Sequence, residues 1–146
     1  MKKVQTILKQ AGYFEGRRVD ISHIMQMYDK YGYRYNDIQK MFIEQYAYLD
    51  IHYNHPFWKQ DMLIRLNPIE AQKVITMDVV EEYNEYLQDS LLIIGDIERE
   101  NMTLFLSEKG FYFGGYDDCL INWGNDFKVM INMLVSGIKG DLQILD

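Results

Sequence analysis

The sequence predicts an α+β fold in which helices pack around a mostly antiparallel sheet. Two observations support this class. Residues 91–137 contain three apolar runs separated by short turns, followed by an amphipathic helix. The N-terminal third instead repeats its apolar residues at spacings of three and four, the period of a helix. We therefore expect N-terminal helices, a mid-chain helix and a C-terminal helix around one sheet.

The first three predicted helices lie near the N-terminus. One covers residues 2–11. Asp20 begins the second, which ends at Gly32, and Asn36 or Asp37 caps the third. The spacing predicts that each of the second and third helices directs one face of apolar and aromatic side chains, with Gln45, into the core. These residues are Ile21, Ile24, Tyr28, Tyr31, Ile38, Met41, Phe42, Gln45, Tyr46 and Leu49.

The middle of the chain alternates predicted strands with helices. A period of two over residues 49–53 predicts one strand, and residues 62–66 predict a second. Asn67 followed by Pro68 and an acid at Glu70 favours a helix of one or two turns. Residues 78–87 predict a longer helix. Its apolar stripe consists of Val79, Val80, Tyr83, Tyr86 and Leu87.

Three consecutive strands are predicted next, over residues 91–96, 101–107 and 111–115. The turns between them are short, so hairpins are the natural arrangement. Asn125 or Asp126 then caps the last helix, which ends at a glycine. The core-facing residues of this helix are Phe127, Met130, Ile131 and Leu134.

The composition fits one domain over residues 1–146. Hydrophobic residues make up 48% of the 146, which is enough to bury a core without disulfides or a structural metal. Cys119 is the single cysteine, so we expect a reducing, cytoplasmic location. Polar residues interrupt the segment after the basic start, and we expect neither an export signal nor a membrane span.

Negative charge is concentrated in the second half of the chain. Residues 1–65 hold 10 Lys and Arg against 7 Asp and Glu, whereas residues 66–146 hold 5 against 15. The halves thus carry +3 and −10, which sum to the net charge of −7. Such a surface repels phosphate backbones and attracts basic partners. We therefore expect no direct nucleic-acid ligand, although an acidic surface that serves only solubility is the alternative.

Few residue patterns suggest catalysis or metal binding. His52 and His55 lie three residues apart, but they fall in a strand and a loop with no evident third ligand. Ser90 lacks the context of a catalytic nucleophile. Cys119 follows Asp118, which disfavours a thiolate, so we interpret it as a small core residue. We predict no catalytic residue, no metal site and no cofactor.

Seven tyrosines crowd into a short part of the chain. Tyrosine offers a large contact area with a polar tip, which binding surfaces favour. Tyrosine also fills helix edges in small α+β cores, so both interpretations stay open. The residues concerned are Tyr28, Tyr31, Tyr33, Tyr35, Tyr46, Tyr48 and Tyr53.

Five short motifs follow one another along the chain. Residues 7–20 contain Ala-Gly-Tyr, then Gly-Arg, then a Val-Asp step. A Phe-Ile helix segment at residues 42–46, an Asn-Pro-Ile-Glu-Ala step within 66–71, an Ile-Gly-Asp strand within 92–96 and a Gly-Asn-Asp-Phe helix start at 124–127 come next. In this order the motifs resemble the third branch of the SUKH superfamily.

Two positions and one turn depart from the pattern of that family. Tyr13 stands where Trp is common, and Ile93 replaces a usual Pro. Ala47-Tyr48-Leu49 replaces a Gly-Gly-Leu turn, which bears on the local turn more than on the fold.

The resemblance implies an immunity protein that binds and neutralises a cognate polymorphic toxin, often a nuclease or deaminase, and is not an enzyme. An acidic surface bearing tyrosine would complement a basic toxin cleft and speed association. We predict that the toxin contacts residues on turns beside the sheet. These residues are Glu98, Glu100, Tyr116, Asp117 and Asp118.

The residues leave two other functions open. One is a regulatory or scaffold interaction domain of the same superfamily, which the short chain disfavours. The other is an enzyme acting on a small cationic substrate. That enzyme would need a deep cleft lined by carboxylates such as Glu81, Asp96 or Asp117.

Overall fold

The computed structural model describes residues 2–145, which form six α-helices and one antiparallel sheet of seven strands. The predicted α+β class is confirmed. The helices are α1 (Lys2–Gln10), α2 (Ser22–Tyr31), α3 (Asp37–Tyr46), α4 (Pro68–Gln72), α5 (Met77–Leu87) and α6 (Phe127–Ser136). The strands are β1 (Asp50–Asn54), β2 (Asp61–Arg65), β3 (Leu91–Ile97), β4 (Met102–Ser107), β5 (Tyr112–Tyr116), β6 (Cys119–Asn122) and β7 (Asp141–Ile144). A 3₁₀ turn spans Glu98–Glu100.

Side-chain caps begin α3, α4 and α6, and a glycine ends α2, as the sequence predicts. The Asn36 side chain accepts a hydrogen bond from the Gln39 backbone N–H, and the Gln39 side chain accepts one from the Asn36 N–H. Asn67 and Asp126 accept backbone N–H groups at the starts of α4 and α6. Gly32 ends α2 in the left-handed conformation.

The buried face of α3 differs from the prediction. Ile38 and Met41, which we expected in the core, are 71% and 56% exposed. Gln39 is buried instead, and its side-chain amide donates to the Leu106 carbonyl at 2.9 Å. This polar side chain can replace an apolar one in the core because its hydrogen-bonding groups have partners.

Neither β6 nor β7 is predicted by the sequence pattern. β6 has four residues directly after an acidic turn, and most β7 side chains are exposed, so β7 lacks the alternation of a half-buried strand.

The expectation that Cys119 lies in the core is wrong, because it begins β6 and is only partly buried. Tyr31 and Tyr86, also predicted to face inward, are 40% and 45% exposed in the last turns of α2 and α5.

Most of the crowded tyrosines belong to the core. Four of them are buried, namely Tyr28, Tyr33, Tyr46 and Tyr53. The Tyr28 hydroxyl donates to the Ile93 carbonyl at 2.6 Å, and burial raises the pKa of Tyr28 well above its ordinary value. Tyr46 packs on the Phe42 and Phe127 rings, which ties α3 to α6.

Aromatic rings approach the sheet closely from both faces at two adjacent glycines. A Cβ on Gly114 would lie 2.5 Å from the Trp123 ring. A Cβ on Gly115 would point to the opposite face and lie 2.7 Å from the Tyr83 ring of α5. The absence of side chains at these two positions of β5 therefore lets large aromatic rings contact the sheet directly.

The turn between α3 and β1 is left-handed although it lacks glycine. Tyr48 has a φ of 70°, and its N–H donates to the Leu66 carbonyl at 2.7 Å. The guanidinium of Arg17 donates to the carbonyls of Gln45 at 2.6 Å and Ala47 at 2.9 Å, and burial lowers the pKa of Arg17. These hydrogen bonds hold Tyr48 in a conformation that glycine adopts at a lower free-energy cost.

Substitution of Gly95 should destabilise the fold strongly. β3 bulges near Gly95, and the Cβ of Gly95→Ala would overlap the backbone oxygen of Arg65. We expect the free energy of unfolding to fall by about 2–4 kcal/mol, measured by urea denaturation. Gly110→Ala is the control, because nothing lies within 4 Å of the added atom and only its positive φ resists alanine. Its free energy of unfolding should fall by only about 1 kcal/mol, and equal losses in the two variants would contradict the prediction.

Two substitutions of Tyr48 separate backbone strain from side-chain contacts. Tyr48→Gly and Tyr48→Ala remove the same contacts, but only alanine retains the strain of the left-handed backbone. The glycine variant should therefore be more stable than the alanine variant by about 1 kcal/mol in thermal or urea unfolding. Equal stability of the two variants would show that the turn relaxes to another conformation.

Candidate functional site

The sheet topology brings connections that are distant in sequence to one end of the molecule. The strands lie in chain order and each pairs antiparallel with the next, so alternate connections emerge at the same end. The 3₁₀ turn between β3 and β4 and the turn between β5 and β6 therefore share an end, together with the β1–β2 loop. The five predicted contact residues lie on or beside the 3₁₀ turn and the β5–β6 turn: Glu98, Glu100, Tyr116, Asp117 and Asp118.

The structure distributes these five residues around two depressions, each with a volume of about 530 Å³. Glu98 and Asp117 line the first, which we call the acidic groove. Glu100 lines the second, which we call the aromatic cleft. Tyr116 contributes to both, and Asp118 is exposed at the turn. The structure thus brings all five to one region without gathering them into one pocket.

Hydrogen bonds to two backbone carbonyls hold the β5–β6 turn in place. The Tyr83 hydroxyl of α5 donates to the Asp117 carbonyl at 2.7 Å, and the Leu145 N–H donates to the Asp118 carbonyl at 2.8 Å. Asp117 has a φ of 49°, which aspartate tolerates better than most residues. Burial raises the pKa of Tyr83 to about 12, and the negative charge of Asp117 adds to this shift. Both aspartate side chains therefore project from a fixed backbone.

The acidic groove lies between α5, the segment before it, and the ends of β3, β4 and β5. Its side chains combine an apolar wall with carboxylates, and it contains one internal ion pair. Both carboxylate oxygens of Asp96 accept from the Arg65 guanidinium, at 2.9 and 3.2 Å. This hydrogen bonding raises the pKa of Arg65, and Glu98 raises it further. The lining residues are Arg65, Val74, Ile75, Thr76, Val79, Tyr83, Asp96, Ile97, Glu98, Asn101, Met102, Thr103, Gly115, Tyr116 and Asp117.

The aromatic cleft is formed by the β1–β2 loop, the 3₁₀ turn, the sheet and the end of α6. Four of its residues are large, apolar and well exposed: Phe57 at 71%, Trp58 at 60%, Ile138 at 52% and Leu142 at 52%. The Phe57 ring lies so close to Gly137 that a Cβ there would be 2.5 Å from it. The β1–β2 loop therefore reaches the end of α6 and closes one side of the cleft.

His55 holds the β1–β2 loop, which we call the aromatic loop, in shape. Its imidazole is buried and stacks on the Trp58 ring with 3.8 Å between ring centroids. Its Nδ1 accepts hydrogen bonds from the backbone N–H groups of Phe57 and Trp58. The sequence pattern drew attention to His55 only as a possible metal ligand. The Pro-Phe-Trp run that follows it was the available signal for a binding cleft, because large aromatic residues in a polar loop are unusual.

Glu100 is half-buried in the lining of the aromatic cleft. Burial raises the pKa of its carboxyl group, whereas the nearby His55 lowers it. Arg99 and Lys139 also line this cleft. The cleft thus contains two basic side chains against one carboxylate, and its sign differs from that of the acidic groove.

Residues 2–145 do not bring together the side chains that a metal site or an acidic catalytic cleft would need. His52 is exposed on β1 while His55 is buried in the loop, and residues 2–145 contain no group of three His, Cys, Asp or Glu side chains placed to hold a metal ion. Glu81 is exposed on α5. Asp96 and Asp117 do line one groove, but Asp96 is engaged by Arg65. Across residues 2–145, every helix is too short or too polar to cross a membrane.

A rigid surface that combines exposed carboxylates with exposed aromatic side chains is typical of a protein that binds another protein. Comparison with known families agrees with this class. The family model described as SUKH-3 immunity protein matches residues 1–137, and the chain belongs to that family. The predicted resemblance is thereby confirmed. No curated protein and no solved structure matches the chain.

Loss of the Tyr83 hydroxyl should loosen the β5–β6 turn. Tyr83→Phe removes the hydrogen bond to the Asp117 carbonyl and keeps the ring on the sheet. We expect the free energy of unfolding to fall by about 1 kcal/mol and amide hydrogen exchange to become faster at residues 117–119. Tyr86→Phe on the same helix is the control, since its side chain is 45% exposed. Similar exchange in both variants would show that this hydroxyl does not hold the turn.

Proposed function

We propose that this protein binds a cognate toxin domain non-covalently at the end of the sheet and occludes it, without converting any substrate. Membership of an immunity protein family supports a protective role. The observation that favours this surface is the convergence of the 3₁₀ turn and the β5–β6 turn. Their carboxylates and the aromatic loop lie around two depressions that share Tyr116, and together they combine polar and apolar surface, as protein interfaces do.

The charge of this surface suggests the kind of toxin. Glu98, Asp117 and Asp118 are exposed, and the second half of the chain has a net charge of −10 from 5 basic and 15 acidic residues. A basic toxin, such as a nuclease or another enzyme that acts on nucleic acid, has a cationic cleft complementary to this charge. The electrostatic attraction would accelerate the encounter, as it does in other complexes between oppositely charged proteins.

The aromatic loop would contribute a different part of the binding energy. Exposed Trp58 and Phe57 have the size and rigidity of residues that dominate protein interfaces. Apolar contacts there would slow dissociation, whereas the acidic residues would speed association. We place the interaction in the cytoplasm because the single cysteine, Cys119, suits a reducing compartment.

A pull-down and an activity assay test the function. The toxin domain encoded beside the gene should co-purify with the protein and lose its activity in the complex. Binding without loss of activity would favour the regulatory or scaffold function. Failure of the toxin domain to bind would contradict the proposal.

Neutralising the β5–β6 turn should slow association with the toxin. Asp117→Asn with Asp118→Asn removes two charges and keeps side chains that tolerate the turn. We expect the association rate at low ionic strength to fall by about fivefold and its salt dependence to flatten, measured by stopped-flow mixing with the toxin domain.

A matched double variant controls for overall charge. Asp37→Asn with Glu108→Gln also removes two charges, but at the opposite end of the sheet, where Asn36 contacts the Glu108 carbonyl. This variant should associate at nearly the rate of the unmodified protein. Equal slowing in both variants would assign the effect to net charge and would remove Asp117 and Asp118 from the interface.

A further inference from the structure

We propose that the acidic groove receives one arginine or lysine side chain of the partner. The aliphatic stem would lie along the apolar wall, and the cationic head would lie between Glu98 and Asp117. The identification of the partner as a toxin rests on the proposed function. The chemistry of the groove follows from its own residues and can be tested without any toxin.

The wall of the groove suits an aliphatic stem. Val74 is 77% exposed, and Val79 of α5 is partly buried beside it in the same groove. Ile75 and the Tyr83 ring complete this wall. Lysine and arginine bury their methylene groups against such apolar surfaces while the charged end stays near polar groups.

The charge of the groove selects a cation. Its lining contains three carboxylates, Asp96, Glu98 and Asp117, and one cation, Arg65, which gives −2 from +1 and −3. Asp96 and Arg65 already bind each other through two hydrogen bonds. Among residues 2–145, the four ion pairs include neither Glu98 nor Asp117. Two carboxylates are therefore available to a partner.

The groove is also rigid where the cation would bind. The Tyr83 hydroxyl fixes the Asp117 carbonyl, and the β3–β4 pairing of Ile97 with Met102 encloses the 3₁₀ turn that bears Glu98. Binding then requires little ordering of the protein, which reduces the entropic cost of association. The neighbouring aromatic cleft is a poorer site for a cation, because Arg99 and Lys139 oppose Glu100 there.

Titration with N-acetyl-arginine amide tests the groove directly. The protein would carry ¹³C-labelled methyl groups on valine, and the methyl signals of Val74 and Val79, which line this groove and not the aromatic cleft, would report occupancy. We expect saturable shifts of these signals. N-acetyl-citrulline amide has nearly the same shape without the charge, and it should bind about fivefold more weakly, as expected for loss of an ion pair.

Two double variants complete the test. Glu98→Gln with Asp117→Asn should weaken binding of the arginine probe by about fivefold or more. Glu81→Gln with Glu85→Gln removes two exposed charges from the outer side of α5 and should leave the affinity unchanged. Absence of saturable shifts, equal binding of the citrulline probe, or equal affinity in the two variants would overturn the proposal. Toxin binding that persists after any of these results would leave the proposed function standing.

Discussion

The order of the seven strands is the constraint on which the proposed binding surface depends. Each strand pairs antiparallel with the next one in the chain, so the connections alternate between the two ends of the sheet. The 3₁₀ turn Glu98–Glu100 and the β5–β6 turn consequently emerge side by side although β4 and β5 separate them. A strand order with a crossover would place these connections apart, and their carboxylates would not act on one partner.

Buried polar side chains keep the irregular parts of this sheet and its neighbours in one conformation. Arg17 binds two carbonyls before the left-handed Tyr48, Gln39 links α3 to β4, and Tyr83 links α5 to the β5–β6 turn. Each donor binds a backbone carbonyl, so its own polar group stays hydrogen-bonded inside the protein. A surface built on such turns is rigid before the partner arrives, which favours tight binding because less conformational entropy is lost.

Local patterns predicted the helices and the central hairpins well. Caps such as Asn36, Asn67 and Asp126 act within a few residues of themselves, so their roles can be recognised without knowledge of the fold. The predictions failed where a distant partner decides burial. Gln39 enters the core because Leu106 offers it a carbonyl, and Ile38 beside it remains exposed. β7 is an edge strand with little buried area, and it therefore has no periodic signal.

The sequence by itself determined the α+β class, the excess of acidic residues in the second half and the motifs that mark the SUKH-3 immunity protein family. These properties depend only on composition and on residues that are close together in the chain. Only the tertiary structure decided how the candidate residues are grouped. It placed Glu98 and Asp117 in one groove and Glu100 in another beside Trp58. That grouping depends on which strands pair and on which face each side chain lies, and both are set by contacts between residues far apart in the chain.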